Sequence, residues 1–356
     1  MKINNLSRTS IWADDSNHHV GIIDQTLLPF AVEDYILRSV DDVADAIFSM
    51  RVRGAPLIGV TAAFGLALAM RDDPGLDNMY ASTTRLIATR PTAVNLEWAM
   101  RKMEHILMPA PENYRAELAW QAAKQFAADD IGTNFAIGQH GLKIIEALHA
   151  KYQRTVNILT HCNAGWVATV DWGTALSPIY QAHDAGISVH VWVDETRPRN
   201  QGLLTAWELR EHGVPHTYIV DNAGGHFMQH GKVDAVIVGA DRVSGAGDVA
   251  NKIGTYQKAL AAKDNGIPFY AALPLSTVDW SLENALEDIE IEERNAAEIR
   301  MVRGVSSNGV AENFTILAAE TPVANPGFDL TPARLVTGII TERGVAAAGD
   351  LGKWKA

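Results

Sequence analysis

Five short runs of β-branched and other apolar residues constrain this chain more than any other feature: TVNILT (155–160), ISVHVWV (187–193), PHTYIV (215–220), DAVIVGA (234–240) and IPFYAAL (267–273). Each leads into a polar or glycine-containing loop and then into helical spacing of apolar residues. Strands about 20–35 residues apart with helices between them build right-handed βαβ units and hence a parallel sheet. Residues 151–356 are therefore expected to form a doubly wound α/β domain.

The first 150 residues have another rhythm. SIWADDSNHHVGIIDQTLLPF reads as two extended pieces around an Asp14–His19 turn, with Val20, Ile22 and Ile23 as the β-favouring residues. In SVDDVADAIFSM a Ser39/Asp41 start signal precedes Val43, Ile47 and Met50 at helical spacing. LIGVTAAFGLALAM is apolar nearly all round, as a helix buried on every side would be. Helical patterns continue over 95–106, 114–128 and 134–150. Residues 1–150 are expected as a smaller, mostly helical domain with a short β-hairpin.

Charge limits the partners. With 42 Asp and Glu against 30 Lys and Arg, the net charge is −12, and no basic block is present. Such a chain is a poor holder of nucleic acid or of an anionic membrane surface. The start, MKINNLSRTS, lacks the apolar run of a secretory signal, and the uncharged stretch Gly54–Met70 contains Gly and Pro and is short for a span. A soluble, cytoplasmic protein is expected. The single cysteine, Cys162, excludes an intramolecular disulfide framework and any CxxC metal site.

The chemistry gathers where the strands end. His161-Cys162-Asn163-Ala164-Gly165 follows the first run, Asp194-Glu195-Thr196-Arg197-Pro198 the second, Asp221-Asn222 the third and Asp241-Arg242 the fourth. Ligands of an open parallel sheet bind in the crevice at the carboxyl ends of its strands. A single Asp or Asn there is explained by helix capping; four such loops, one with the only cysteine, point to a site. Cys162 is expected just before a helix, whose N-terminal amides would lower its pKa. A cysteine-protease reading needs a distant His that nothing in the sequence picks out.

Other motifs are weighed on their surroundings. Gly245–Ala250 matches G-x-G-x-x-A, but the next strand ends in Leu273-Pro274 without the acid that a ribose requires. What is left is a Gly-rich turn expected to open a helix carrying Asn251 and Lys252, a phosphate cradle of amides, dipole and ammonium. Arg53-Gly54-Ala55-Pro56, at the start of the buried helix, is a second anion site, and Arg90 supplies a third cation. His226 and His230 share a helix face but lack the Glu of HExxH, so a solvated face is expected. The acidic run Glu287–Glu293 is expected to be solvated as well.

Taken together, RGAPLIG, TRPTAVN, ILTHCNAG, DETRPRNQG, GADRVSGAGDVANKIGTY and NPGFDLTP resemble the methylthioribose-1-phosphate isomerases of methionine salvage. The resemblance runs from IIDQTLLP to IITERG, and the six blocks stand in the right order. It implies a Rossmann-like doubly wound parallel sheet behind a small helical domain, and a homodimer without metal or nucleotide. It also implies Cys162 and Asp241 as the catalytic pair, with Arg53, Gly54, Ala55, Arg90, Gln201, Asn251 and Lys252 binding a sugar phosphate.

The chemistry calls for such groups. A phosphate on the anomeric oxygen prevents ordinary ring opening, so a general acid must protonate the ring oxygen; Asp241 suits this role if burial raises its pKa. Hydrogen then moves from C2 to C1. Cys162 relays it as a proton through a phosphoenolate, or a hydride shifts directly while Cys162 stabilises the transition state. Ala246, Asn200 and the stretch Val302–Glu320 depart from the family pattern and keep 5-deoxyribose 1-phosphate open as an alternative substrate. The same fold also resembles non-catalytic regulatory subunits of the translation-initiation guanine-nucleotide exchange factor, a role that needs neither Cys162 nor Asp241.

Overall fold

In the computed structural model, which describes residues 1–90, 93–282 and 285–355, the chain opens with a ribbon of β1 (Lys2–Ile3) and β2 (Leu6–Ser7). An antiparallel sheet of β3 (Ile11–Asp14), β4 (His19–Ile23) and β5 (Asp34–Leu37) follows. The expected hairpin is β3–β4, with Ile11 opposite Ile22. The added strand, DYIL, is too short for its period to show in the sequence.

Helix α1 (Val40–Phe48) begins at a capping box, in which Ser39 and Asp42 each accept from the other's backbone N–H. α2 (Ala55–Asp72) is buried without a break from Leu57 to Met70. It is the one helix among the described residues long and apolar enough to cross a membrane, yet 78% of that window lies inside the protein. Its apolar surface on all sides is explained by its neighbours, α1, α3 (Leu76–Thr89), α4 (Val94–Leu107) and α5 (Glu112–Tyr152), whose apolar residues share one core with it. α3 escaped the sequence pattern because its buried positions are Met79, Ser82, Thr83 and Leu86, two of them polar.

The patterns over 114–128 and 134–150 are one helix, α5, of 41 residues. Asp129, Asp130 and Gly132 look like a break, but a helical Gly costs only about 1 kcal/mol. The turn is held together by the Asn134 side-chain amide donating to the Asp130 carbonyl at 2.8 Å, and by the Val170 N–H donating to the Asp130 carboxylate at 2.7 Å. Further along, Gly138 and Gly141 let α6 (Ser177–Asp184) lie against α5: a Cβ at Gly141 would stand 2.4 Å from Pro178.

The second half is α/β. Its main sheet contains β6 (Val156–Thr160), β7 (Val189–Asp194), β8 (His216–Ile219), β9 (Ala235–Val238) and β12 (Phe269–Ala272), the five expected strands, in the spatial order β12-β9-β6-β7-β8 and all parallel. α7 (Gly202–His212), α8 (Ala223–Gln229) and α9 (Thr255–Asp264) connect them. β17 (Gly338–Thr341) extends the sheet in parallel beyond β12, and β18 (Gly344–Ala346) closes that edge antiparallel. From β6 the chain proceeds outward to β7 and β8; from β9 it proceeds the other way to β12 and β17. The crevice between the carboxyl ends of β6 and β9 is the topological switch point, where open sheets bind ligands.

A smaller sheet stands at that end, formed by β10 (Arg242–Ser244), β11 (Val249–Lys252), β13 (Val278–Asp279) and β16 (Phe328–Thr331) in the order β13-β10-β11-β16. It corrects one expectation: Asn251 and Lys252 lie on β11, not in a helix, and α9 begins only after Gly254. Gly245–Gly247 close the β10–β11 hairpin, with Gly247 at φ 91° donating to the Ser244 carbonyl. GAGDVA is therefore a hairpin turn rather than a nucleotide loop. Short α10 (Ala285–Asp288), α11 (Ala297–Arg300) and a hairpin of β14 (Met301–Val305) and β15 (Ala311–Thr315) complete the chain.

Candidate functional site

A cavity of about 390 Å³ occupies the switch point. Cys162, Asp241, Arg53, Gly54, Ala55, Arg90, Gln201, Asn251 and Lys252 all line it. Pro91 and Thr92, within the TRPTAVN block, lie outside the described residues.

Gly54 lets the first half of the chain meet the second. Its φ of 98° suits glycine, and a Cβ there would stand 2.2 Å from the Ala168 carbonyl oxygen. α2 starts at the next residue, so its N-terminal amides and positive dipole end lie at the cavity wall, next to Arg53. The Arg53 guanidinium donates to the Asn163 side-chain carbonyl at 2.6 Å, while its Nε is buried without a partner among the described residues. Gln201, just before α7, likewise keeps a buried, unpartnered Oε1. Buried polar atoms are mostly hydrogen-bonded, so the two leave unused bonding capacity in residues that line the cavity.

Cys162 follows β6 with φ 65°. Its N–H donates to the Thr196 hydroxyl, and its carbonyl accepts from the Thr205 hydroxyl, both at 2.8 Å. The helix expected behind it is absent: a single 3-10 turn, Trp166–Ala168, comes next, and α6 starts at Ser177. The expected fall in pKa is reversed with it. Burial pushes the thiol up, Lys252 and Arg53 pull against this, and the Asp241 carboxylate adds to the rise.

Asp241 follows β9 and is pinned through its N–H to the Ala250 carbonyl at 3.0 Å. Burial also raises this carboxyl; the cations Lys252, Arg90 and Arg53 oppose it, and Glu292 reinforces it. Lys252 donates to the Gly327 carbonyl at 2.9 Å and lies 4.3 Å above the Phe328 ring. The Asn251 side-chain amide donates to the Thr255 hydroxyl at 3.0 Å.

Of the four strand-end loops, those after β6 and β9 bring Cys162 and Asp241 to the cavity, and the loop after β7 reaches it only through its far end, at Arg199 and Gln201. The carboxylates after β7 and β8 belong to the frame. Asp194 lies 3.1 Å from His161 Nδ1 and 3.2 Å from Lys258 Nζ, and Asp221 accepts from the Thr196 and Arg197 N–H groups. His161, Asp194 and Asp221 have ligand atoms within 4.8 Å of one another, the spacing of a metal site. The Lys258 ammonium already supplies the cation there, 4.0 Å from Asp221 as well. His226 and His230 are exposed, and the His230 ring bonds the His226 carbonyl at 2.8 Å.

Several charged groups in the wall were not expected, Arg199, Glu290 and Glu292 among them. Arg199 lines the cavity and pairs with Glu298 at 3.3 Å, whereas its neighbour Arg197 turns away to the carbonyls of Pro198 and Ile299. No spacing in DETRPRNQG separates these two arginines. Glu290 and Glu292, expected in a solvated run, also line the cavity, because the loop after α10 folds back over it.

Glu208 on α7 holds the Cys162 loop from behind. It is fully buried and accepts from the Asn163 side-chain amide at 2.8 Å, the Trp166 N–H at 2.8 Å and the Tyr180 hydroxyl at 2.9 Å. Burial pushes its pKa up to about 7. Glu208→Ala would strand these buried donors, and urea denaturation is expected to show a loss of about 3 kcal/mol. A change below about 0.5 kcal/mol would mean that the loop does not depend on it.

The sequence profile of the initiation factor 2 subunit family matches residues 51–348. A methylthioribose-1-phosphate isomerase of Acidiphilium cryptum (strain JF-5) is 59% identical over 98% of this chain and 96% of its own length. Among solved structures, 5-methylthioribose 1-phosphate isomerase from Pyrococcus horikoshii OT3 is similar with a TM-score of 0.84 at 39% identity, over 98% of this chain and 95% of that one. Translation initiation factor eIF-2B, subunit delta, from A. fulgidus gives a TM-score of 0.79 at 39% identity, over 96% of both chains.

Proposed function

The chain belongs to the initiation factor 2 subunit family, and within it we infer that this protein is an aldose–ketose isomerase converting 5-methylthioribose 1-phosphate to 5-methylthioribulose 1-phosphate, a step of methionine salvage. The full-length likeness to the Acidiphilium cryptum isomerase carries this reading. Cys162 and Asp241 in one cation-lined cavity support it over a purely regulatory role, since a binding subunit needs no thiol paired with a buried acid.

The proposed roles follow from charge and chemistry. Arg53, Lys252 and the amides at the start of α2 receive the phosphate, and Arg90 adds positive potential. Six Arg and Lys residues in the cavity wall (Arg53, Arg90, Arg199, Arg242, Lys252 and Arg294) explain how a chain of net charge −12 attracts an anion: only the local field matters to a ligand of this size. Asp241, whose pKa burial raises, gives a proton to the ring oxygen as the C1–O4 bond breaks. Hydrogen passes from C2 to C1, the C2 hydroxyl loses its proton, and the ketose retains its phosphate. Cys162 is the group at C1 and C2. Turnover in heavy water separates its two roles: deuterium entering C1 marks a proton relay, and transfer of C2 deuterium to C1 without exchange marks a hydride shift.

The reading is tested by NMR of the purified protein with methylthioribose 1-phosphate, 5-deoxyribose 1-phosphate and ribose 1,5-bisphosphate in separate reactions. Turnover of the first is expected to be fastest. Turnover of none defeats the enzyme reading, and a strong preference for the second reassigns the substrate. We further propose a cytoplasmic homodimer that engages neither nucleic acid nor membrane; light scattering tests the dimer.

A further inference from the structure

The loop that covers the cavity carries a carboxylate with half of its hydrogen-bonding capacity unused. Glu292 lines the cavity, and its Oε1 accepts from the Arg294 guanidinium at 2.8 Å. Its Oε2 is sealed from solvent and has no hydrogen-bond partner among the described residues. A buried carboxylate oxygen without a partner is costly and uncommon, and next to a ligand cavity it marks a place for a donor. Glu292 lies close enough to Asp241 and Arg90 for its charge to act on both.

Its position is fixed from several sides. Arg294 also bonds Glu298 at 2.7 Å, and Glu298 pairs with Arg199, another wall residue. The Glu292 carbonyl accepts from the Gly327 N–H at 2.8 Å, and Gly327 in turn receives Lys252. The covering loop is thereby tied to β11 and to the cation proposed to hold the phosphate.

This inference rests on the isomerase reading. The closed sugar offers a carboxylate only two donors, its 2- and 3-hydroxyls: the ring oxygen and methylthio group have no proton to give, and the phosphate is repelled. The 2-hydroxyl must surrender its proton as C2 becomes a carbonyl. The 3-hydroxyl is unchanged from substrate to product, so a rigid acceptor suits it throughout. We propose that Glu292 is a specificity-determining residue whose free oxygen accepts a hydrogen bond from the 3-hydroxyl of the bound sugar phosphate.

Glu292→Ala and Glu292→Gln are compared with wild type on methylthioribose 1-phosphate and on its 3-deoxy analogue, with thermal melts to establish folding. On the parent sugar, the Ala variant is expected to lose at least about 10-fold in kcat/KM, mainly through KM, and the Gln variant less. On the 3-deoxy sugar, variant and wild type should agree within about twofold, because the bond in question is missing from both. Equal losses on the two sugars, or no loss on the parent, would overturn the proposal and leave Glu292 as a support for Arg294. Wild type inert on both sugars would instead overturn the isomerase reading. The alkaline limb of the kcat–pH profile supplies a second readout. Asp241 is faced by Lys252, Arg90, Arg53, Cys162 and Glu292, and removing the last of these charges should move that limb to lower pH.

Discussion

Asp241→Asn is expected to lower kcat by at least about 100-fold while KM for the sugar phosphate stays within about threefold. Asparagine has nearly the shape of aspartic acid and leaves the bond from the Asp241 N–H to Ala250 in place, so the cavity should keep its form. What it lacks is a proton to give to the ring oxygen. In the wild type, burial outweighs the pull of Lys252, Arg90 and Arg53, and the carboxyl stays protonated above the ordinary carboxylate range. The sign follows: a raised acid is active below its pKa, so kcat should fall on the alkaline side as the proton is lost. The Asn variant should show a low rate without that limb. Steady-state kinetics across pH, followed by NMR, measures both features. A wild-type kcat in the variant would remove Asp241 from the mechanism, and a large rise in KM alone would make it a binding group.

How much of this was legible in the sequence depended on whether the deciding interactions were local. The five strands of the main sheet were visible because central parallel strands are buried on both faces and read as unbroken apolar runs, as AVIV in β9 does. The strands of the second sheet are two to four residues long and mostly mixed in polarity, as RVS, VANK and FDLT show, so nothing periodic distinguishes them from loops. Asn251 and Lys252 are therefore expected on a helix but lie on β11, where both line the cavity. The strand-end rule found Cys162 and Asp241 because both sit at the switch point of the sheet. It also selected Asp194 and Asp221, which instead hold His161, Lys258 and the Thr196 loop. A carboxylate at a strand end looks the same in sequence whether it faces a cavity or a buried lysine. Glu292 was hidden for a related reason. Its role depends on a loop that folds back to Gly327 and Arg199, and an acidic run carries no mark of that return.

Cys162→Ser is expected to cost at least about 100-fold in kcat with KM within about threefold, and to leave the melting temperature nearly unchanged. The last expectation comes from the way the residue is held. The hydrogen bonds that fix it, from its N–H to Thr196 and from Thr205 to its carbonyl, belong to the backbone and survive the substitution. Cys162 also lines the cavity. Burial pushes the thiol up and Asp241 pushes it further, while Lys252 and Arg53 draw it down. A serine hydroxyl is a far weaker acid and a less polarisable neighbour for charge at C1 and C2, so both routes lose by the exchange. Heavy-water turnover then tells them apart: in a relay the surviving activity should incorporate less solvent deuterium at C1, whereas in a hydride shift the label pattern should match the wild type. The double variant with Asp241→Asn gives the decisive comparison. If acid and thiol act in one sequence, it should be little slower than the worse single variant, because a ring that does not open offers the thiol nothing to do. Losses that multiply in full would instead mean that the two groups act independently, and would argue against one pathway through both.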